Sequence, residues 1–299
     1  MNALLIGAVE STGAVLEALV ETDLSILAAI TLDPEAGRAR HADYLNIGPL
    51  CAQYGIDCCY VKNETEITEV ARRLKPDLLF VCGWSRLLPE NVISAARLGG
   101  IGFHPAPLPI GRGRHPLIWT IFLGLPEGAV TFFRMIADAD AGEILIQRRF
   151  RISQNETART LMDKIKSEAK AAIPDLISSI FVSGGLHGVQ QNERDAVVWR
   201  KRSSMDGRID FRMPAESIDR LVRALTSPYP GATAVTSDGR SATIWRTEVV
   251  RRPAEARWAE PGRVFAEVQG IPIVACGLGA IALADHGFDP APGLGDWFC

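Results

Sequence analysis

The strongest constraint on the fold is a regular alternation in the first hundred residues. Short apolar runs at Ala3–Gly7, Ser25–Thr31, Asp57–Val61 and Asp77–Cys82 are predicted to be strands, and segments with helical spacing, such as Glu66–Leu74, separate them. Continuous apolar strands separated by helices are typical of a parallel sheet covered on both faces. Right-handed crossovers then give a doubly wound, mainly parallel, Rossmann-like α/β domain.

The remainder of the chain has a different pattern of predicted elements. Short strands separated by Gly, Pro and Asp turns follow one short helix, and they predict a small OB-like β-barrel. We therefore expect an α/β domain over residues 1–185, a linker over 186–205 and a C-terminal β-barrel domain over 206–299. The tail after Asp285 is rich in Pro and Gly, so we expect it to be loosely held.

Charge, hydropathy and short sequence motifs exclude several classes of protein. The formal charge is -3, no apolar run approaches the ~20 residues of a membrane span, and the amino terminus lacks the basic region of a signal peptide. We expect a cytoplasmic protein without a membrane partner. The six cysteines contain no CxxC pair, which argues against a zinc site or a disulfide framework. The first βα turn, Gly7–Gly13, lacks the dinucleotide and Walker fingerprints.

One stretch is locally basic. Between Arg200 and Arg263 there are thirteen Arg or Lys residues against eight Asp or Glu. This excess of positive charge fits a solvated surface, or alternatively contact with a phosphate-bearing ligand or RNA.

Two loops are rich in groups that carry chemistry. In residues 104–116, His104 is followed by three prolines that stiffen the chain, and residues 137–143 hold three acidic side chains that include Asp140. Ligands of open α/β sheets bind beyond the carboxyl ends of the strands, where His104 and Asp140 can meet. An imidazole beside a carboxylate suits proton transfer during acyl transfer. A structural His-Pro turn and a metal site of two aspartates with His104 remain alternatives.

These two loops resemble the signature of the folate-dependent formyltransferases, a family that includes methionyl-tRNA formyltransferase and the sugar N-formyltransferases. The family pattern is Asn-x-His with a Pro-containing loop, an Arg-Gly turn and a later Asp-x-Gly turn. Gly102–Pro109, Arg112–Arg114 and Ala139–Ile144 match it in order and at family spacing. Val81–Pro89 resembles the segment that holds the pterin. Asp206–Phe211 resembles part of the carboxyl-terminal domain of the tRNA and 4-amino-arabinose enzymes.

The resemblance implies a reaction and a set of roles. A formyl group would pass from 10-formyltetrahydrofolate to a primary amine without a metal, with His104 as the catalytic histidine and Asp140 controlling its protonation. The family asparagine is replaced by Gly102, and losing an oxyanion donor costs ~2.7–4 kcal/mol. Either Arg114, His115 or an ordered water replaces that donor, or catalysis is impaired. The positions that would bind the folate are Trp84, Arg86, Leu87, Leu88, Ala137, Asp138, Ala139 and Gly142.

The acceptor is less constrained. Gly83–Ser85 and Arg112–Pro116 are more similar to the sugar N-formyltransferases than to the tRNA enzymes, so a sugar nucleotide is the expected amine substrate. Arg112 and Arg114 would bind its diphosphate. Trp84 fits either packing or stacking on a sugar. Methionyl-tRNA, a small amine such as a hydroxylated ornithine, and a non-catalytic folate or nucleotide binder are the alternatives, and a homodimer is compatible with the sequence.

Overall fold

The structure, a computed structural model, describes the backbone of residues 1–299 and every side chain except that of Glu255. The chain divides into two compact units. The first comprises Met1–Pro116, Glu127–Arg151 and Met162–Arg200, and the second comprises Leu117–Pro126, Ile152–Leu161 and Lys201–Cys299. Residues 186–200 of the segment expected to be a linker therefore belong to the first unit.

The elements up to residue 200 alternate largely as the apolar pattern predicts. In chain order they are β1 (Asn2–Ile6), α1 (Glu10–Leu19), β2 (Ser25–Leu32), α2 (Pro34–Arg40), α3 (Gly48–Gln53), β3 (Cys58–Val61), α4 (Glu64–Leu74), β4 (Leu78–Val81), α5 (Glu90–Ile93), β5 (Gly99–His104), β6 (Ile110–Gly113), α6 (Pro116–Phe122), β7 (Glu127–Arg134), β8 (Ile144–Arg151), α7 (Ala158–Ser183) and β9 (Val197–Trp199).

Seven of these strands form one sheet in the order β3-β2-β1-β4-β5-β7-β8. Strands β1 to β5 are parallel to one another, whereas β7 pairs antiparallel with β5 and β8 pairs antiparallel with β7 at one edge. The prediction of a mainly parallel, doubly wound sheet is confirmed. Strands β6 and β9 form a separate parallel pair. The chain order reverses between β1 and β4, which places the crevice for a ligand beyond their carboxyl ends, next to β5 and its last residue, His104.

Both faces of the sheet are buried because the strand side chains alternate. Ala3 and Leu5 belong to one apolar cluster, to which α7 contributes Ile173 and other residues. Leu4 and Ile6 belong to a second cluster, with Ile67 of α4. Strand β4 divides its side chains between the same two clusters. The sheet is therefore a rigid platform for the loops at its carboxyl edge.

The register between β5 and β7 explains the glycine at position 102. Gly102 lies opposite Phe133, whose side chain is buried. A Cβ atom added at Gly102 would lie 2.4 Å from Cζ of Phe133, a distance that real side chains do not tolerate. The aromatic ring therefore occupies the space that an asparagine side chain at this position would need to enter.

The second unit carries an antiparallel sheet. Its elements are α8 (Ala215–Leu225), β10 (Ala232–Val235), β11 (Ser241–Val250), β12 (Val264–Val268), β13 (Ile271–Ala275) and β14 (Ala280–His286). The strand order is β10-β11-β14-β13-β12, and α8 contacts β10, β11 and β14 through its apolar face. This agrees with the predicted OB-like domain, although the named strands do not close a barrel.

The tail is held more firmly than the sequence predicts. The Cys299 N–H donates to the carbonyl of Val235, the last residue of β10, and the Val264 N–H of β12 donates to the carbonyl of Asp296. The last residues thus bond to both edge strands of the sheet. The Pro- and Gly-rich composition hid this because backbone pairing carries no side-chain signature.

The Gly102 and Phe133 pair makes a testable prediction about stability. Gly102→Asn should lower the free energy of unfolding by about 1–3 kcal/mol because the new side chain displaces a packed ring. Phe133→Ala removes the obstacle, so the double variant should be less destabilised than the sum of the single variants by at least ~1 kcal/mol. Urea unfolding measures all three.

The matched control is Gly293→Asn, since nothing lies within 4 Å of a Cβ atom at Gly293, and its stability should stay close to that of the parent protein. Additive effects of Gly102→Asn and Phe133→Ala would contradict the steric explanation.

Candidate functional site

His104 is the last residue of β5, and each of its two ring nitrogens faces an oxygen atom of the protein. Its side chain is buried, and only 6% of the residue is exposed. Nε2 lies 2.7 Å from the carbonyl oxygen of Gly111, and Nδ1 lies 3.8 Å from Oδ1 of Asp140. The structure therefore brings together the histidine and the aspartate of the two predicted loops.

These contacts determine which nitrogen can act as a base. A carbonyl oxygen only accepts hydrogen bonds, so Nε2 of His104 carries a proton and donates it to Gly111. In the neutral ring the lone pair is then on Nδ1, the atom that faces Asp140. The gap of 3.8 Å is too long for a direct hydrogen bond, yet it is short enough for a carboxylate to stabilise a positive ring.

Asp140 is itself fixed in a turn between β7 and β8. Its Oδ2 accepts the backbone N–H of Gly113 at 2.9 Å. Its φ angle is +56°, a left-handed conformation that costs energy for a residue with a Cβ atom. Both the backbone and the carboxylate of Asp140 are therefore constrained.

The loop after His104 is anchored by residues that the sequence did not single out. The Thr131 hydroxyl donates to the carbonyl of Ala106 at 2.7 Å. The Gln147 side-chain amide donates to the carbonyl of Leu108 at 2.9 Å and to the Thr131 hydroxyl at 3.0 Å. Thr131 and Gln147 are on β7 and β8, so the antiparallel strands hold the proline-rich loop in place. The polarity of Thr131 inside the otherwise apolar run Ala129–Phe133 is the signal that could have identified it.

Arg112 is placed differently from its predicted role. Its side chain is buried and donates to Gln191 and to both carboxylate oxygens of Glu193, the latter at 2.7 and 2.9 Å. The hydrogen bond to Glu193 raises the pKa of Arg112 further. The prediction that Arg112 binds a diphosphate is not supported, because its guanidinium is already occupied by protein groups.

Arg114 remains available for an anion. Its side chain is exposed, and its Nη1 donates to the carbonyl of Ser85 at 2.6 Å, a neutral partner. His41 lies nearby: its pKa is lowered by burial and then by the charges of Arg114 and Arg40. Nε2 of His41 is buried without a hydrogen-bond partner among the described residues. His115, the other predicted substrate residue, has a φ angle of +57°.

The predicted folate positions differ in exposure. In the loop after β4, Leu87 is 75% exposed and Leu88 is buried, and Arg86 pairs with Glu64 at 2.8 Å, which lowers the pKa of Glu64. Nε1 of Trp84 is buried and has no hydrogen-bond partner in the described part of the chain.

The second predicted folate loop is mostly open. Ala137, Asp138 and Ala139 are exposed, whereas Gly142 is buried against the backbone of Arg134, whose oxygen would lie 1.7 Å from a Cβ atom at that glycine. Gly142 therefore permits the close approach of the two backbones on which the turn depends.

Part of the basic stretch of the second unit is paired with its own carboxylates. Five of its arginines pair with nearby acids: Arg212 with Asp210, Arg223 with Asp219, Arg240 with Asp238, Arg246 with Glu248, and Arg263 with Glu260. These pairs favour the interpretation as a solvated surface. A cavity of about 590 Å³ in the same unit is lined by Met205, Arg208, Trp297 and others, and it contains none of the predicted site residues.

No group of three or more described His, Cys, Asp or Glu side chains is arranged to hold a metal ion, and the six cysteines are free thiols. No described helix combines the length and the apolar character needed to span a bilayer.

Comparison with known families covers most of the chain. The sequence model for formyl transferases matches residues 3–177, and the model for the formyl transferase C-terminal domain matches residues 201–289.

Solved structures share the fold at low identity. HypX from Aquifex aeolicus in complex with tetrahydrofolic acid has a TM-score of 0.68 at 17% identity, covering 94% of this chain and 43% of HypX; this chain thus spans less than half of that protein. The N-formyltransferase from Helicobacter canadensis in complex with folinic acid and dTDP-3-aminofucose has a TM-score of 0.70 at 16% identity, over 94% and 97% of the two chains.

A third structure is the sugar 3N-formyl transferase WlaRD in the presence of dTDP and 5-N-formyl-THF, with a TM-score of 0.68 at 15% identity over 94% of this chain and 96% of that one. At these identities the similarity shows the fold alone, whereas the two sequence models show the family. The chain with the His104 and Asp140 pair at its sheet edge belongs to the formyl transferase family.

Proposed function

We propose that this formyl transferase moves the formyl group of 10-formyltetrahydrofolate to the primary amine of a nucleotide-linked amino sugar. The observation that carries the proposal is that only one of the two ring nitrogens of His104 is hydrogen-bonded to the protein. Its Nε2 is committed to the Gly111 carbonyl at 2.7 Å, and its Nδ1 faces the Asp140 carboxylate at 3.8 Å.

The acid–base chemistry follows from this geometry. An amine attacks only when it is neutral, and it must lose a proton as its nitrogen bonds to the formyl carbon. Nδ1 of His104 accepts that proton, and the Asp140 carboxylate stabilises the resulting positive ring. The same nitrogen then returns the proton to the leaving nitrogen, which restores the neutral base. The folate, when bound, supplies the formyl carbon and that leaving nitrogen.

The loop after β4 fits a flat, partly apolar ligand. Leu87 offers an exposed apolar side chain, and the indole N–H of Trp84 is a buried donor that lacks a partner within the described residues. A buried donor of this kind costs free energy unless a ligand or water satisfies it. A pterin has both the apolar faces and the polar edge that such a loop can bind, and the exposed residues 137–139 would form the other part of the pocket.

Positive charge near the site supports a phosphate-bearing acceptor. Among the side-chain contacts described, Arg114 donates only to a carbonyl. The charges of Arg114 and Arg40 both lower the pKa of His41, so both arginines lie close to that ring. Arginine binds phosphate oxygens through two parallel hydrogen bonds. A sugar diphosphate would neutralise this charge and bring its amine toward His104. The dTDP-3-aminofucose bound to the Helicobacter canadensis protein is a compound of this class.

Replacing the base provides the first test. His104→Ala should lower turnover by at least ~100-fold, since it removes the group that takes the proton of the amine, while the protein still folds. The assay measures release of tetrahydrofolate with a panel of dTDP-, UDP-, GDP- and CMP-linked amino sugars, methionyl-tRNA and hydroxyornithine.

The control is His187→Ala, an exposed histidine in the same unit, which should retain full turnover. Turnover with methionyl-tRNA alone would replace the proposed acceptor class. Tight folate binding without turnover on any acceptor would contradict the transferase proposal and favour a binding protein.

Replacing Arg114 tests the binding of the acceptor. Arg114→Ala should raise KM for the sugar nucleotide about 10- to 100-fold, because a charge-assisted hydrogen bond to phosphate is lost, and it should change kcat less. Steady-state kinetics at fixed folate concentration measures both constants. Arg97→Ala is the matched control, since Arg97 is an exposed arginine already paired with Asp77 at 2.6 Å. Equal KM values for Arg114→Ala and the parent would exclude Arg114 from acceptor binding.

A further inference from the structure

We propose that Gln191 is a positioning residue for formyl transfer: it fixes the turn that presents Asp140 to His104. The inference rests on the proposed function and adds a residue, distant in sequence, that controls the reacting pair. Gln191 lies in the segment that the sequence predicted to be a linker, and in the structure it is only 4% exposed.

The side-chain amide of Gln191 holds the turn through two backbone carbonyls of the turn. Its Nε2 donates to the carbonyl of Asp140 at 2.8 Å and to the carbonyl of Gly142 at 2.7 Å. Both protons of the amide nitrogen are therefore used on a single turn, one on the residue that faces His104. Few other side chains could replace it, because the contact needs two donors on one buried, uncharged nitrogen.

Arg112 determines the orientation of that amide. Its Nε and Nη2 donate to Oε1 of Gln191 at 3.1 and 2.8 Å. A flipped amide would direct its NH₂ group at the guanidinium and its oxygen at two carbonyls, which is unfavourable on both sides. Glu193 holds the remaining face of Arg112, so a chain of hydrogen bonds runs from Glu193 through Arg112 and Gln191 to the Asp140 turn.

The turn needs such an anchor because of its conformation. Asp140 has a φ angle of +56°, a left-handed conformation that costs free energy for a residue with a Cβ atom unless hydrogen bonds support it. The Gly113 N–H holds the carboxylate of Asp140, while Gln191 holds its carbonyl. Without Gln191 the backbone can relax, and the carboxylate then moves relative to His104. A displacement of about 1 Å in such a group can cost roughly 100-fold in rate.

The test is a double-mutant cycle between Gln191→Met and Asp140→Asn, with kcat and KM measured for the sugar nucleotide. Gln191→Met keeps the side-chain length and removes both donors. It should lower kcat at least ~10-fold with little change in KM, and by less than ~2-fold when Asp140→Asn is already present, since residues that act as a unit are not additive. A purely structural role would give the same loss in both backgrounds.

Two further variants keep the test decisive. Gln190→Met changes the exposed neighbour and should leave kcat unchanged. If Gln191→Met fails to fold, Gln191→Glu replaces it, because a carboxylate still accepts from Arg112 but cannot donate to the two carbonyls; it should show the same loss.

The outcomes separate the two claims. Equal losses in both backgrounds, or no loss from Gln191→Met or Gln191→Glu, would overturn the role of Gln191 while a slow Asp140→Asn variant leaves the proposed function standing. Full turnover by Asp140→Asn would overturn the part of Asp140 in the proposed function, and the role of Gln191 with it.

Discussion

The orientation of His104 depends on one hydrogen bond, from its Nε2 to the carbonyl of Gly111. That carbonyl is in place because Gly111 has a φ angle of +84° and packs against Trp199, whose Cζ3 would lie 2.6 Å from an added Cβ atom. A larger residue could not keep the backbone there. The tautomer of the neutral imidazole thus depends on the pairing of β6 with β9, a strand far along the chain.

Strand β6 contacts both members of the reacting pair and the glutamine that positions the Asp140 turn. Its Gly111 carbonyl caps the imidazole, its Arg112 side chain orients Gln191, and its Gly113 N–H holds the Asp140 carboxylate. Since one short strand positions both members of the reacting pair, their separation is insensitive to movement of the outer loops. Phe133 adds an apolar wall beside Gly102, where the family pattern has an amide.

The sequence predicts the sheet well and the site only in part. Apolar runs such as Leu78–Val81 reveal buried strands because their side chains enter both cores. The loops that hold His104 and Asp140 are recognisable from their residue types and spacing. Gln191 and Gln147 were not, since a glutamine in a polar segment looks like surface until the fold brings a carbonyl to it. Arg112 was predicted to bind a diphosphate because no pattern in the sequence reveals its pairing with Glu193.

The most direct measurement is NMR of the His104 tautomer in ¹⁵N-labelled protein at alkaline pH. The chemical shifts of the two ring nitrogens, and their couplings to the protons on the ring carbons, show which nitrogen carries the proton. The His104→Ala variant assigns the signals. The hydrogen bond to Gly111 predicts a neutral ring protonated on Nε2, with the lone pair on Nδ1. A ring protonated on Nδ1 would contradict this, because the nitrogen facing Asp140 could then not accept the proton of the amine.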